Sequence, residues 1–456
     1  MKNYDVIVIG SGAGAIISDE AAAQGLTTAL IDKGPLIGGT CINWGCIPSK
    51  MLIYTADRIV EIEEARKLGI EAEIKNIDFH SIMKRMRNSR QESQVHIIEG
   101  IKQSKNLDFY EGEGYFVDDY LLEVNGKRFK GKRIFIASGS RPFIPPIKGL
   151  ENVDYLTNES VLELKDRPDS LIIIGGGYIA VEYGHFFAAM GTKVTILEMA
   201  DRLVLSEEVE ISNLLKGELS KRMGVHTNTL AEEVKGSENG IVVITKDTKT
   251  GKRREFAAQR IMMAVGRRSN ADKLKVENTG VETDKKGFIK VNEYLETNRQ
   301  DIFAIGDANG QQMFRHMANR EAEIVVQNAF YGTNIKVDYS AVPHAVYSHP
   351  QVASVGMTEA QAREGHDVLL GRMKYLDIAK GKAMIEKEGF AKVIVEKGSN
   401  QILGFHIIGP YAPELIQEVV NAMTSGGGME ELGQGIHIHP SLSELIQYTL
   451  SNIGES

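Results

Sequence analysis

The chain has two cysteines, and they stand five positions apart in Cys41-Ile42-Asn43-Trp44-Gly45-Cys46. A thiol pair this close can hold a metal ion or cycle between dithiol and disulfide. Zinc needs a full tetrahedral set, and no further cysteine and no tight histidine pair completes one, so no metal site is expected. In a regular helix the C-x4-C spacing points the two side chains apart. Gly45 permits the local distortion that would bring the Cα atoms within the reach of a disulfide, about 4.4–6.8 Å. On these residues alone two unpaired, partly buried cysteines remain the alternative.

A second kind of chemistry is written in glycine. The apolar run Val6 to Ile9 enters Gly10-Ser11-Gly12-Ala13-Gly14-Ala15, continues as an Ala-rich helical stretch and ends in Ala29-Leu30-Ile31-Asp32. The same grammar returns as Leu171 to Ile174, Gly175-Gly176-Gly177-Tyr178-Ile179-Ala180, a helix to Met190 and the strand Val194 to Leu197, closed by Glu198. Gly10, Gly12 and Gly14 in the first turn, and Gly175 and Gly177 in the second, let the backbone turn tightly and approach a pyrophosphate at a helix N-terminus. Ala15 and Ala180 are small enough for close helix–strand packing. Two such βαβ units predict two dinucleotides. Asp32 and Glu198 fall where a carboxylate accepts hydrogen bonds from a ribose. Because a carboxylate at Glu198 repels a 2′-phosphate, NAD is expected over NADP.

The elements that must position these residues follow from composition and periodicity. At 456 residues the chain has room for about three domains. Its 42% hydrophobic and 25% charged content describes a globular enzyme, and a net charge of −8 without a long basic run speaks against nucleic-acid binding and a polybasic membrane anchor. Leu171 to Val181, the longest apolar stretch, is broken by glycines and falls short of the ~20 residues that span a bilayer. The start of the chain lacks the apolar core of a signal peptide, so a cytoplasmic protein is expected. Amphipathic patterns predict helices over Met51–Leu68 and Ile82–Ser104, short strands between Tyr115 and Phe129, and a linker at Pro142, Pro145 and Pro146. The fold class is α/β: two Rossmann-like dinucleotide-binding domains followed by a C-terminal α+β domain. The boundaries expected are 1–146 and 270–341 for the two parts of the first dinucleotide-binding domain, 147–269 for the second and 342–456 for the α+β domain.

The segment Gly38-Gly39-Thr40-Cys41-Ile42-Asn43-Trp44-Gly45-Cys46-Ile47-Pro48-Ser49-Lys50 closely resembles the redox-active signature of the pyridine nucleotide-disulfide oxidoreductases. The resemblance runs on through Ala137 to Pro142, Ala264 to Arg268, Ala304 to Asp307, Tyr347 to Thr358 and His439 to Glu444, and so covers essentially the whole chain. It implies FAD and NAD as cofactors and a homodimer with a shared active site; by the same resemblance the three domains are the FAD-binding, NAD-binding and dimerisation domains. Cys41 would then meet the substrate, and Cys46 would contact the flavin. Lys50 would lie near the flavin, paired with Glu182. Asp307 would bond the ribityl chain, while Lys33, Thr40, Gly114, Ser138, Gly139, Gly266, Arg315 and His316 would line the cofactors. His439 would be the acid–base, since an imidazole titrates near neutral pH, and Glu444 its orienter. Ser441-Leu442-Ser443-Glu444 also reads as a capping box for the last helix, and Ile436 and Ile438 suggest that this segment is half-buried.

Within the family the sequence is most similar to the dihydrolipoamide dehydrogenase branch. Tyr178 and Ala180 are more similar to the glutathione and mercuric reductase branch, where a tyrosine covers the nicotinamide pocket. Ser451 to Ser456 holds no extra thiol of the kind that mercuric reductases or large thioredoxin reductases use. The resemblance therefore implies a dihydrolipoamide dehydrogenase whose substrate includes a lipoyl group on a protein. The alternatives are an NAD(P)H-dependent reductase of a low-molecular-weight disulfide and a flavoprotein whose main role is binding within a multienzyme assembly; burial of Cys41 away from any pocket would favour the last.

Overall fold

Val6 to Ile9, β-branched throughout, form the inner half of strand β1 (Lys2–Ile9), and all four are buried, as both faces of a central parallel strand must be. The structure, a computed structural model, describes residues 1–238 and 240–454, so the last two residues of the expected dimerisation domain lie outside the described ones. From β1 the chain passes into α1 (Gly14–Ala23), β2 (Thr28–Asp32), α2 (Gly39–Asn43), α3 (Cys46–Glu64) and α4 (Phe79–Gln103). Strands β3 (Leu107–Glu111), β4 (Gly114–Asp118), β5 (Leu121–Val124), β6 (Lys127–Ile136) and β7 (Ser140–Pro142) follow. The second βαβ unit is β8 (Ser170–Ile174), α5 (Tyr178–Ala189) and β9 (Lys193–Leu197), continued by α6 (Val209–Ser220) and β10 (Gly224–His226). Next come β11 (Thr229–Ser237), β12 (Gly240–Asp247), β13 (Arg253–Ala258), β14 (Arg260–Met263), β15 (Arg267–Ser269), α7 (Ala271–Leu274), β16 (Ile302–Ala304) and α8 (Arg315–Tyr331). The last part holds β17 (His344–Val346), β18 (Val352–Gly356), α9 (Glu359–Ala362), β19 (Val368–Lys374), α10 (Ala379–Met384), β20 (Phe390–Glu396), β21 (Ile402–Ile408), α11 (Ala412–Thr424), α12 (Met429–Gly433), α13 (Glu444–Ser451) and β22 (Ile453–Gly454).

These elements form two compact units. The first comprises Met1–Ser49, Met83–Phe143 and Gly266–Asp338. Its sheet has the order β3-β2-β1-β6-β5-β4, with β16 also paired to β6. The pairings of β1 with β2 and β6, of β2 with β3 and of β6 with β16 are parallel, and β4, β5 and β6 form an antiparallel meander. Helices α1 and α8 cover one face, where Val6, Val8, Ile17, Leu30, Ala322 and Val325 pack; each large aliphatic buried there is worth about 1.5–3 kcal/mol.

The second unit comprises Lys50–Ile82, Ile144–Val265 and Tyr339–Ser456. It holds the parallel sheet β10-β9-β8-β14, the meander β11-β12-β13 and a six-stranded sheet in the order β17-β18-β21-β20-β19-β22. Val393, Phe405 and Ile407 of that last sheet pack against Ile416 and Val419 of α11 and Leu445 and Ile446 of α13. Two Rossmann-like sheets and a C-terminal α+β domain are thus the architecture of the chain. Within the second unit, buried carboxylates before α6 join the parallel sheet to the six-stranded one. Glu207 bonds His344 Nε2 at 2.6 Å and the Ser354 hydroxyl at 2.6 Å. Lys392, itself buried, meets Glu208 at 3.0 Å, Glu210 at 2.9 Å and Glu359 at 2.6 Å.

The first two long helices begin earlier than their apolar periodicity predicts. Helix α3 starts at Cys46 rather than Met51 because Pro48 sits in its first turn, where a missing N–H costs no helical hydrogen bond. That shift puts Cys46 at the head of the helix. Helix α4 starts at Phe79 rather than Ile82, with Asp78 Oδ1 accepting the Ser81 N–H at 2.9 Å as a cap. Among the described residues no helix is long and apolar enough to cross a membrane.

Candidate active site

Cys41 lies in the one-turn helix α2 and is half-buried; Cys46 is exposed at the first turn of α3. They stand as two thiols joined by a hydrogen bond, the reduced form of the expected pair. That bond to Cys46, with burial, pushes the Cys41 thiol well above its ordinary value, while the charge of Arg315 pulls it down. Cys46 heads a 19-residue helix, whose N-terminal dipole favours negative charge, and the Ile47 amide at the same end bonds Cys41. The break between the two helices is not where the sequence suggested. Trp44, at φ −141°, carries the distortion, and its N–H still bonds Thr40 O at 2.8 Å. Gly45 supplies room instead: a Cβ there would sit 3.1 Å from Thr40 O and 3.5 Å from Cys41 Cα.

The loop in front of the thiols is held by Asn43, inside the signature, and by Gln94, which belongs to no motif. Asn43, buried, donates to the carbonyls of Ile37 at 2.9 Å and Gly39 at 3.0 Å, and Gln94 of α4 donates to Asn43 Oδ1 at 2.8 Å while bonding both backbone groups of Ile37. Gln94 was not legible as a site residue, because a glutamine on a mostly polar helix looks solvated until its partners are known. The redox loop also meets the first glycine turn. A Cβ on Gly39 would stand 2.6 Å from Gly12 Cα, and one on Gly12 would stand 3.6 Å from the Arg315 guanidinium. Cys41, Arg315 and the first dinucleotide turn therefore share one corner of the first unit. Lys33 lies over the Trp44 ring at 5.3 Å, Thr40 is half-buried beside Gly45, and His316 stacks on Phe314.

The two glycine turns have the same geometry. Gly10 has φ +104° and Gly175 φ +115°, and a Cβ on either would run into a carbonyl oxygen at 2.2 Å, that of Ala137 or Ala264. Neither α1 nor α5 has a side-chain cap on its N-terminus, which suits an anion there. At the first turn, Asp32 ends β2 and accepts the Ser11 N–H at 2.9 Å and the Gly34 N–H at 3.1 Å. Gly14 and Ala15 open α1, Gly114 packs on Ile31, and Gly139 has φ +66°. Ser140 donates to Asp307, and Arg267 donates to Ser140 Oγ at 2.7 Å and lies 3.5 Å from Asp307, so the short β7–β15 ribbon fixes that carboxylate. Arg267, next to the expected Gly266, was missed as a site residue. The hydroxyl of Ser138 is buried and has no hydrogen-bond partner among the described residues. An orphaned donor at the mouth of a glycine cradle fits a bound dinucleotide with its own polar atoms, as FAD has.

In the second unit Gly177 precedes α5, Tyr178 begins it half-exposed and Ala180 is fully buried. Glu198 Oε1 accepts the Ala200 N–H at 2.6 Å, and its other oxygen closes over Gly176, where a Cβ would approach within 2.8 Å. Lys50 Nζ meets Glu182 Oε2 at 2.7 Å. Burial pushes the Glu182 carboxyl up against the pull of Lys50. Since Lys50 is one turn beyond Cys46 on α3, one helix carries a thiol and an ammonium on the same side.

His439 Nδ1 lies 2.8 Å from Glu444 Oε1, and the other Glu444 oxygen accepts the Ser441 N–H at 3.0 Å. Those two bonds, the histidine first, hold the Glu444 carboxyl below its usual range. An ionised carboxylate only accepts, so Nδ1 carries the proton and neutral His439 keeps Nε2 as a base. Only the backbone half of the expected capping box forms: Glu444 is the first residue of α13, and Ser441 Oγ bonds Ser443 Oγ. The segment is also more open than expected, with Ile436 fully exposed, Ile438 79% exposed and the His439 side chain 70% exposed. His437 is structural, bonded to Glu418 at 2.7 Å. Among the described residues no cluster could hold a metal ion.

Known families account for this combination of two glycine turns with a thiol pair. The family described as pyridine nucleotide-disulphide oxidoreductase matches residues 4–322, and its dimerisation domain matches residues 342–450; the chain belongs to that family. It is 33% identical to a dihydrolipoyl dehydrogenase of Bacillus subtilis (strain 168), over 97% of this chain and 96% of that protein. It is 34% identical to the mycothione reductase of Mycobacterium tuberculosis, over 99% of each. Among solved structures, the Cu(II) complex of the HOCl-induced flavoprotein disulfide reductase RclA from Escherichia coli superposes with a TM-score of 0.88 at 28% identity, covering 99% of both chains. The protein is a flavoprotein disulfide oxidoreductase that uses FAD and a pyridine nucleotide, and its dimerisation domain makes it a homodimer.

Proposed function

We propose that this protein passes electrons between a dithiol and NAD through Cys41, Cys46 and FAD, and that the dithiol is dihydrolipoamide. The reading is carried by the thiol pair, in which a half-buried Cys41 hydrogen-bonds a Cys46 placed at the head of α3, one turn before Lys50. A substrate thiolate attacks Cys41 Sγ of the Cys41–Cys46 disulfide, the S–S bond breaks, and Cys46 leaves as a thiolate. The second substrate thiol, deprotonated by His439 Nε2, displaces Cys41 and closes the oxidised product. Two electrons then rest on the thiol pair. FAD, when bound, would supply the acceptor for these electrons, and NAD a hydride acceptor in turn. Gly10, Gly12, Gly14, Asp32, Ser138 and Asp307 would hold the flavin nucleotide; Gly175, Gly177, Tyr178, Ala180 and Glu198 would hold NAD. His439 and Glu444 act on Cys41 of the other chain of the dimer, a reading supported by the exposure of His439 on a dimerisation domain.

A reductase of a small disulfide is the second reading, favoured by the half-exposed Tyr178 at the head of α5 and by the likeness to a mycothione reductase. A purely binding flavoprotein is not supported, since neither thiol is fully buried in the chain. The deciding experiment is a turnover assay of the purified enzyme. NAD with dihydrolipoamide is compared with NADH or NADPH and oxidised low-molecular-weight thiols. Higher kcat/KM for a small disulfide would replace the first reading with the second.

A further inference from the structure

The Lys50–Glu182 pair has a third member that comes from the C-terminal part of the chain. The backbone N–H of Tyr347, one residue beyond β17, donates to Glu182 Oε1 at 3.1 Å, and the Tyr347 ring lies 4.7 Å from Lys50 Nζ. One residue thus holds the carboxylate through its backbone and faces the ammonium with its ring. The segment carrying it is pinned on both sides. His344 bonds Glu207 at 2.6 Å, and His349 bonds Glu64 of α3 at 2.8 Å. His349 also stacks on His185, buried in the middle of α5, whose Nε2 meets Asp57 of α3 at 2.8 Å. The Arg222 guanidinium faces His185 Nδ1 at 3.3 Å. A guanidinium can only donate, so Nδ1 accepts and the Nε2–H donates to Asp57, which fixes a neutral His185. The bridges Lys50–Glu182 and Asp57–His185 are two rungs between α3 and α5, and the 344–349 segment buttresses both.

We propose that Tyr347 is a positioning residue for the Lys50 ammonium, its ring and amide together fixing the Lys50–Glu182 pair at the head of α3. The inference rests on the reading that Lys50 serves the flavin, but its geometry is independent of which disulfide is the substrate. Lys50 is 33% exposed, so water can reach it, and Glu182 Oε2 alone leaves an ammonium with three donors free to swing. The ring adds a cation–π contact that holds it on one side. The pair's burial makes the restraint matter: a displaced ammonium would leave a buried carboxylate without its counter-charge.

The test is competitive acylation of lysines with trace acetic anhydride in the FAD-loaded dimer, read by mass spectrometry. Tyr347→Leu should raise Lys50 labelling about two- to tenfold, and Tyr347→Phe, which keeps the ring, should stay near wild type. Lys392, caged by Glu208, Glu210 and Glu359, is the internal control and should not change. In stopped flow the Leu variant should slow flavin reduction by NADH about threefold or more while the NADH concentration giving half-maximal rate stays put. Unchanged Lys50 labelling in Tyr347→Leu, equal labelling in Tyr347→Phe and Tyr347→Leu, or a parallel rise at Lys392 would each overturn the proposal. Failure of the wild-type enzyme to couple NADH to any disulfide would refute the functional reading and leave the labelling result standing.

Discussion

At the scale of single residues the two thiols hold unequal positions, and that inequality gives the sharpest prediction. Cys41→Ser should end turnover with any dithiol or disulfide yet leave Cys46 as a free thiolate beside the flavin, visible as a long-wavelength absorption band in the purified enzyme. Cys46→Ser should lose both. The opposite pattern would exchange the two roles. Glu198 carries a second residue-level prediction: Glu198→Arg removes the bond to the Ala200 amide and offers a guanidinium to a 2′-phosphate, so the NADP(H) to NAD(H) ratio of kcat/KM should rise roughly 10- to 100-fold. A wild-type preference for NADPH in the same assay would refute the NAD assignment itself. Residues of this kind were legible because their chemistry is local. Cys41, Cys46 and Lys50 lie within ten positions of one another, and each glycine turn is followed at nearly the same spacing by its carboxylate. Gln94, Arg267 and Tyr347 were not, because each acquires its role from partners distant in sequence, and no periodicity marks a side chain whose use is to hold another in place.

At the scale of elements, hydrophobic periodicity located the two βαβ units and the helices but placed the start of α3 too late, because the apolar stripe begins at Met51 while the first turn, with Pro48 in it, carries no such stripe. The six-stranded sheet and its ties to the α6 region are set by buried charge that a sequence pattern cannot pair. Of these ties the Glu207–His344 bond makes a testable contribution to stability. Burial alone would raise the Glu207 carboxyl, but His344 and Ser354 outweigh it and hold it below its ordinary 4.5, with His406 adding to the pull. Burial alone would lower His344, but Glu207 outweighs it and raises it above its ordinary 6.5. The carboxylate's share of stability is therefore complete above pH 4.5 and lost as pH falls through the depressed value; the histidine's share is complete below pH 6.5 and lost as pH rises through the raised one. Glu207→Gln should then cost most between those two values, on the order of 3 kcal/mol, and less on the alkaline side. Denaturant melts of wild type and variant at a series of pH values measure the difference; a cost that keeps growing above pH 8 would contradict the assignment.

At the scale of the whole molecule, the exposure of Ile436, Ile438 and His439 on a domain that makes dimers bears on where the acid–base works. A pair of large aliphatics left open beside a histidine and its orienting carboxylate is surface that a second copy is suited to cover. If His439 serves Cys41 of the other chain, two dead variants should repair each other. Cys41→Ser homodimers and His439→Gln homodimers would each lack one half of both sites; the histidine variant should be slowed by roughly 10²–10⁴ in the thiol step. In a mixed dimer one site would combine both defects, while the other would join an intact Cys41 from the histidine variant to an intact His439 from the cysteine variant. Random reassortment gives mixed dimers as half of the population, each with one good site of two, so co-expressed chains should recover about a quarter of wild-type turnover. A site built within a single chain would recover nothing, since every Cys41 and every His439 would then have a damaged companion. Ile438→Asp supplies the complementary measurement. A charge placed in the covered surface should shift sedimentation toward monomer and lower dithiol turnover in step, while NADH still reduces the bound flavin. Dithiol turnover that persists in a species sedimenting as monomer would return His439 to the same chain as the thiols it serves.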